Sequence, residues 1–487
     1  MAVGSLRGSA ARGIKWTALS SSTNAILQLF QLAILTRLLR PEDFGLIGMI
    51  TVFITFAQAF SDLGLTNAII HRPPPSREQF SSLYTAGLLA GIGIYALFLL
   101  AAPLIAAFYS EPRLRGLLMW MALSFLVAPL GQPFHVLLQK QLQFNRSAGI
   151  EVAAAALGAV IAVSTALAGQ GVYSLVWGHL SATLTRTAAL VVLEWNRWRP
   201  ALRLRRSQLS GYLGFGLYQI GERSLNQLSA NIDYLIVGRF LGPEILGFYV
   251  LAYQLVTTPF LRINPILTAV AFPVFAARQS EDEVLRRGYL EMVRLLALIL
   301  LPILLALALT APLLVPVIFG PRWQMAAPLI QILTLLGLAK GLSNPSGTIF
   351  LSKGRADIGF KWNLLVALTN TVVFLAAVSF GITALAWSHS LLCVGYLLVA
   401  LWILRSLIGL PLRLYLINLS RPLLASTALA AVLLAGLLAL QHYPMRPALQ
   451  LASLLVAAAL SYALLLAALE RDFLADKLQL LISSSRP

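Results

Sequence analysis

RLLRPEDFG, from Arg37 to Gly45, returns as RFLGPEILG, from Arg239 to Gly247. At an offset of 202, Arg37, Leu39, Pro41, Glu42 and Gly45 meet Arg239, Leu241, Pro243, Glu244 and Gly247. A second echo sets GVYSLVWGH (171–179) against GITALAWSH (381–389), aligning Gly, Leu, Trp and His at an offset of 210. Two blocks in the same order and similarly spaced mean that the chain is built twice. In both copies of the first block the proline suits the first turn of a following helix, where its missing N–H costs nothing. Glu42 or Glu244 then lies at that helix's positive end. The expected role is a tight outer turn that fixes a helix pair, so Arg37, Pro41, Glu42 and Gly45 read as architectural.

Working outward, the 487 residues are 59% hydrophobic and 11% charged, with a mean hydropathy of +0.81. That balance excludes a soluble domain. Apolar runs of about 20 residues recur, each long enough to cross ~30 Å of hydrocarbon as a helix. Breaks at Pro, Gly and charge clusters give spans near 16–38, 44–66, 82–108, 115–137, 149–168 and 172–193. A second set falls near 212–238, 246–274, 291–318, 325–351, 359–379 and 383–404, and two more at about 421–440 and 447–468. The expected fold is an all-α polytopic membrane protein of about 14 transmembrane helices. Its expected divisions are an N-lobe (1–205), a C-lobe (206–408) and a terminal helix pair with a cytoplasmic tail (409–487). Paired lobes around a midplane site are a transporter plan.

Charge orients the chain. With the N-terminus cytoplasmic, 25 of the 36 Lys and Arg fall with the inner segments and 7 with the outer loops. The remaining four, Arg186, Arg223, Arg262 and Lys340, lie within spans. This bias follows the positive-inside rule, so the net charge of +18 reports topology and contact with anionic lipid. No loop is long enough to present a basic soluble face, which excludes nucleic acid as a partner. Arg7, Arg12 and Lys15 lead into a full-length span, the pattern of an uncleaved first helix. The single cysteine, Cys393, permits no disulfide or thiolate metal site, and neither HExxH nor GxxxxGK[ST] occurs.

Polarity inside the spans is arranged. Thr17, Ser20, Asn24, Gln28 and Gln31 share one face of the first helix, at steps of three or four. Gln219, Glu222, Asn226, Ser229 and Asp233 repeat the stripe in the second copy, where Asn24 meets Asn226, Ser20 meets Glu222 and Gln31 meets Asp233. Such stripes are costly against lipid, so both are expected to line a protein or water interior. Ser and Thr alone would only tie helices together. Asn24, Gln28, Gln31 and Asn226 are the expected cavity wall.

A charge at the bilayer centre costs ~3 kcal/mol on insertion scales and demands compensation. Arg223, Arg262 and Lys340 are the candidates to hold an anionic substrate, and Glu222 or Asp233 to carry a coupling proton or cation. The competing account is an inter-helix pair of Glu222 with Arg262 or Lys340. Arg186, near a helix end, is expected to snorkel; Glu151 and Asp62 read as solvated or capping groups. His179 and His389 suggest helix-packing hydrogen bonds, Trp177 and Trp387 packing or anchoring. Gly87 and Gly91 form a GxxxG that permits close approach. The tail, with Phe473, Leu474, Leu478 and Leu481 amid charges, suggests an interfacial helix.

The N-terminal helix ending in RLLRPEDFGLIGMI, followed by FSDLGLTNAII (60–70) and a cytoplasmic turn, resembles the polysaccharide transporter family. These are O-antigen and exopolysaccharide flippases, within the superfamily that also holds multidrug extruders and lipid II flippases. The resemblance is strongest over about residues 10–80 and extends through both lobes by helix count. It implies translocation of an undecaprenyl-pyrophosphate-linked oligosaccharide by alternating access through a cationic cavity. Arg223, Arg262 and Lys340 suit that cavity by their position in the bundle. The resemblance also implies membrane lipids, polysaccharide polymerase and chain-length machinery as partners, and a terminal helix pair that helps hold the lipid tail. No cofactor is implied, and the energy source the acidic residues admit is a proton or sodium gradient.

Three alternatives stand beside this reading. A multidrug or small-molecule antiporter would use the same scaffold. A major-facilitator transporter would carry a GxxxDRxGR-like loop after its second helix, where this chain has HRPPPSREQ (71–79). A membrane glycosyltransferase or polymerase would carry a large extramembrane loop or a DxD motif, and this chain has neither.

Overall fold

The computed structural model describes residues 3–61, 76–141, 143–195, 199, 201–440, 442 and 445–470. Within them the side chains of residues 3–15, 17, 18, 206–223, 225, 356 and 469 are not described. The expectations for Asp62, for most of FSDLGLTNAII and for the tail from Arg471 therefore lie outside the described residues. Among those that are described, helices account for nearly everything and there is no strand. Among the described residues, eleven helical stretches are long and apolar enough to cross a membrane, one of them the 52-residue run Asn226–Ala277. The chain is a multi-pass, all-helical membrane protein. It divides into two compact units, residues 1–247 and 248–487.

Unit 1 begins with α1 (Val3–Leu38) and α2 (Pro41–Ser61). Pro41 is the first residue of α2, as its restricted φ favours, and Asp43 Oδ2 accepts from the Arg40 N–H at 2.9 Å. A capping box opens α3 (Arg77–Tyr109): the Ser76 hydroxyl accepts from the Gln79 N–H and the Gln79 side chain from the Ser76 N–H. Next come α4 (Arg113–Ala122), α5 (Ser124–Lys140), α6 (Phe144–Leu167) and α7 (Tyr173–Glu194). Small residues set the α6–α7 approach: a Cβ on Gly158 would lie 2.8 Å from the Ala182 Cβ, and one on Gly178 2.7 Å from the Ala162 Cβ. Of the GxxxG expected to allow close approach, only Gly91 does so, against the Phe125 backbone. Gly87 has open space around it.

The run α8 (Arg206–Ala277) is two helices that meet at Gly242, whose φ of +84° and ψ of 175° no helix contains. Gly242 stands 202 positions after Arg40, at the turn of the repeated block. The backbone therefore breaks where the echo predicts it, and α8 contributes to both units.

Unit 2 continues with α9 (Asp282–Leu314), α10 (Ala326–Ser352), α11 (Ala356–Ala377) and α12 (Ile382–Ile408). It closes with α13 (Leu412–Leu440) and α14 (Pro447–Leu469). α9 is its centre, packed by α10, α13 and α14. Leu429, Leu433, Leu454 and Ala458 bury the terminal pair against Ala306 and Leu309. Polar ties fix its register: Asn418 Nδ2 donates to the Leu290 carbonyl at 2.9 Å and the Tyr462 hydroxyl to the Leu298 carbonyl at 2.6 Å. Arg294 donates from Nε to the buried Glu470 carboxylate at 3.2 Å.

Candidate functional site

The repeated blocks pack on each other within unit 1. A Cβ on Gly45 would fall inside the Pro243 carbonyl, and one on Gly247 inside the Pro41 carbonyl. Each copy thus presents its glycine to the other copy's proline, a reciprocal contact that only hydrogen at Cα allows. Neighbouring elements brace it. Arg113, at the start of α4, pairs with Glu42 of α2 and, at 2.7 Å, with Glu111. That hydrogen bond holds the Glu111 carboxyl below its ordinary value. The Arg239 guanidinium lies 5.6 Å over the Phe108 ring. Along the same helices, Asn231 Nδ2 donates to the Gln227 carbonyl at 2.8 Å and reaches Thr55 Oγ1 at 3.4 Å.

The expected cavity wall is only partly enclosed. Asn24 and Gln31 are half-buried, while Gln28 and Asn226 are exposed. The Asn24 Oδ1 is buried and accepts no hydrogen bond among the described residues. Asp233 is 1% exposed, and its Oδ1 accepts from the Tyr234 N–H at 2.9 Å. The side chains of Glu222 and Arg223 lie outside the described residues.

Unit 2 holds Arg262 and Lys340, both half-buried. Arg262 is on α8 and Lys340 on α10. Lys340 Nζ donates to the Tyr253 hydroxyl at 2.9 Å. Its 5.2 Å distance to that ring's centre follows from the hydrogen bond to the hydroxyl and is not a seat over the π-face. Tyr253 stacks on Tyr249, one turn earlier, with ring centres 6.0 Å apart. The Tyr249 hydroxyl is 2.9 Å from His389 Nδ1 on α12, the helix-packing bond expected of that histidine. Phe374 of α11 closes the cluster, 4.8 Å from the His389 ring. Four helical segments thus build one interior of ammonium, phenols and imidazole, a set that can donate to phosphate oxygens and exchange hydrogen bonds with sugar hydroxyls. The sequence analysis did not single out Tyr249 and Tyr253; two tyrosines one turn apart within an apolar span were the available signal, while their neighbour Lys340 lies 87 residues away in sequence.

One expectation at the other end of unit 1 needs correction: Glu151 is not a cap but lies within α6 and pairs with the exposed Arg186. Arg186 Nη2 meets Glu151 Oε2 at 2.8 Å across α6 and α7. His135 of α5 adjoins the pair, 2.9 Å from Ser147 Oγ and 3.9 Å from Glu151. The pair gives Arg186 an inter-helix counter-charge while 47% of its side chain stays exposed. Trp177 packs edge-on against Trp120 with ring centres 5.0 Å apart, as expected of a packing residue. Among the described residues no group of three or more His, Cys, Asp or Glu is poised to hold a metal ion.

Comparison with known proteins converges on one group. Residues 34–328 match the polysaccharide biosynthesis protein family. The chain is 35% identical over 460 residues to the teichuronic acid biosynthesis protein TuaB of Bacillus subtilis, covering 93% of this chain and 94% of that protein. It is 32% identical over 377 residues to the lipopolysaccharide biosynthesis protein WzxC of Escherichia coli, covering 77% and 76%. The succinoglycan biosynthesis transport protein ExoT of Rhizobium meliloti is 27% identical over 431 residues, covering 86% and 85%. Among solved structures, the lipid II flippase MurJ in an inward closed conformation superposes with a TM-score of 0.73 at 12% identity, over 94% of this chain and 99% of that one. An inward-facing multidrug resistance MATE transporter gives 0.63 at 16% identity, over 80% and 98%. The repeated, helical chain belongs to the polysaccharide biosynthesis protein family and has a MurJ- and MATE-like fold.

Proposed function

We propose that this chain is a transporter, not an enzyme. It flips undecaprenyl-pyrophosphate-linked oligosaccharide repeat units from the cytoplasmic to the outer leaflet of a bacterial inner membrane, for O-antigen, capsule or exopolysaccharide assembly. The observation that carries the reading is the lysine kept among apolar helices of unit 2, bonded to Tyr253 and adjoining a Tyr–His cluster. Holding an ammonium inside ~30 Å of hydrocarbon costs a few kcal/mol. A pyrophosphate head bearing sugars needs that charge, together with N–H and O–H partners, while its prenyl tail stays in lipid. The names of TuaB, WzxC and ExoT support a polysaccharide precursor as the cargo.

In this reading Arg223, Arg262 and Lys340 receive the pyrophosphate. Asn24, Gln28, Gln31 and Asn226 pass the sugars, and Glu222 or Asp233 couples the cycle to a proton or sodium gradient. Access alternates, and the two PExxG segments serve as architectural turns that fix helix pairs. Both termini face the cytoplasm, and polymerase and chain-length proteins receive the product. The test is export of polysaccharide in a strain whose own copy is deleted. Arg262→Glu is expected to abolish export at normal protein level, and Tyr253→Phe to reduce it about tenfold or more, the scale of one hydrogen bond to a charged group. Unimpaired export in Arg262→Glu would remove that residue from the cargo path.

A further inference from the structure

Three helices of unit 1 bring a histidine, a glutamate and an arginine together inside their spans. His135 stands five residues before the end of α5, Glu151 is the eighth residue of α6, and Arg186 lies eight residues before the end of α7. At 1.5 Å per residue, each sits roughly 8–12 Å in from its helix end. The Glu151 carboxylate is shared unequally: Oε2 is 2.8 Å from Arg186 Nη2, and Oε1 is 3.9 Å from His135 Nε2. The second distance exceeds that of a direct hydrogen bond, and His135 Nε2 is instead 2.9 Å from the Ser147 hydroxyl. Arg186 keeps 47% of its side chain exposed, against 21% for His135, so its guanidinium has a bonded side and an open one. The charges facing His135 are those of Glu151 and Arg186. His179 faces Arg186 from two turns away on α7. Arg146 and Glu194 lie nearer the ends of α6 and α7, 3.7 Å apart, and Lys140 ends α5. Of the other helices packed on this trio, α3 begins with Arg77 and Glu78, the latter held by Arg205 at 3.2 Å. The charges of α2 and α4 (Glu42, Asp43, Arg113 and Arg115) lie at the far end. α1 brings Arg7, Arg12 and Lys15, whose side chains are outside the described residues.

We propose that His135 and Glu151 form a proton-binding site in unit 1, and that a proton bound there releases Arg186 to hold a phosphate oxygen. Imidazole is the side chain whose charge ordinarily changes between about pH 5 and 8. With His135 neutral, one carboxylate answers one guanidinium and the trio has no net charge. A proton taken from water by the imidazole makes two cations compete for that carboxylate. The imidazolium N–H donates to Oε1, the 3.9 Å gap closes, and Oε2 is drawn off the guanidinium. Arg186 then offers N–H donors on its exposed side, and a phosphate is the anion that its planar fork fits. The bound anion in turn holds the proton, because coupling between two sites is reciprocal. This site lies on other helices than Glu222 and Asp233, the coupling residues of the transport cycle described above. It rests on that reading only for naming the cargo's pyrophosphate as the anion.

The test uses the full-length protein in detergent and UDP-glucose, a soluble pyrophosphate diester that lacks the ionisation of a phosphate monoester near about pH 6. Its affinity is read by calorimetry at about pH 5.5 and about pH 8, either side of the histidine range. Wild type is expected to bind at least about fivefold more tightly at the lower pH, the sign required when anion and proton favour each other. Glu151→Gln, which leaves Arg186 without its carboxylate, should bind at the higher pH as tightly as wild type does at the lower, and lose the pH dependence. His135→Asn and Arg186→Gln should bind weakly at both. Because Glu151→Gln gains affinity and His135→Asn loses it, either variant decides the matter if the other fails to fold. Equal wild-type affinity at the two pH values overturns the proposal, as does absence of binding at both. So does a pH dependence that survives His135→Asn or Arg186→Gln. Lys340→Gln separates this site from that of unit 2. Binding that stays pH-dependent in Lys340→Gln supports the inference whatever the export assay shows. Binding that Lys340→Gln abolishes at both pH values assigns the anion to unit 2 and overturns it.

Discussion

At the scale of single residues, the charges that matter are those with an identified partner. Glu111 is such a residue, outside the spans and braced by Arg113, which holds its carboxyl below the ordinary 4.5. A depressed carboxylate pKa means that its contribution to stability is fully present above pH 4.5 and is lost as pH falls through the lowered value. Wild type should therefore melt higher than Glu111→Gln from pH 7 down to about 5, with the gap closing at lower pH. Melting curves of the two proteins across that range would show it, and a gap that widens on acidification would refute the assignment. Lys340 and Tyr253 form the comparable unit inside the membrane, where a phenol answers an ammonium at 2.9 Å.

At the scale of elements, the crossing of α2 with the second half of α8 is decided by two glycines. Gly45 and Gly247 each meet a backbone carbonyl, which has no rotamer with which to yield. Gly45→Ala and Gly247→Ala should each destabilise the protein, and by similar amounts because the contact is reciprocal. The penalty has to exceed the ~1 kcal/mol that alanine otherwise gains over glycine in a helix. Gly87→Ala, in open space on α3, should be neutral or mildly stabilising and is the internal control. Thermal unfolding of the three variants separates these outcomes. If all three behave alike, the crossing is not a tight contact. The α6–α7 pair illustrates the same point from the sequence side. The GxxxG of α3 is half idle, while Gly158, Ala162, Gly178 and Ala182, spread over two helices, bring the backbones together.

At the scale of the whole molecule, the polar stripe of α1 (Ser20, Asn24, Gln28 and Gln31) is made of neutral hydroxyls and amides, whereas unit 2 contains Lys340, Arg262 and His389 within its helices. The terminal pair, α13 and α14, has no counterpart in the first copy, and it is fastened to α9 by an ion pair with a buried carboxylate. Breaking such a pair leaves an uncompensated charge and costs about 3 kcal/mol or more. Glu470→Ala should accordingly lower the melting temperature and loosen α14, seen as faster hydrogen exchange of its amides. Unchanged exchange would mean that the apolar cluster around Leu433 and Leu454 holds the pair by itself.

The duplication, the membrane-spanning helices and the family resemblance were all legible in the sequence, because they are written in local pattern. Offsets of 202 and 210, apolar runs and helix-start prolines need no knowledge of what touches what. The break at Gly242 was legible for the same reason, lying at the turn that the first block marks. The partners were not legible. That Gly45 faces Pro243, that Arg186 answers Glu151 and that Tyr253 receives Lys340 depends on which helix faces are juxtaposed across long stretches of chain. Helical periodicity gives the face a residue lies on, whereas only packing decides the neighbour it meets there. A buried charge therefore announces in the sequence that it needs a partner, and the tertiary structure supplies that partner's identity.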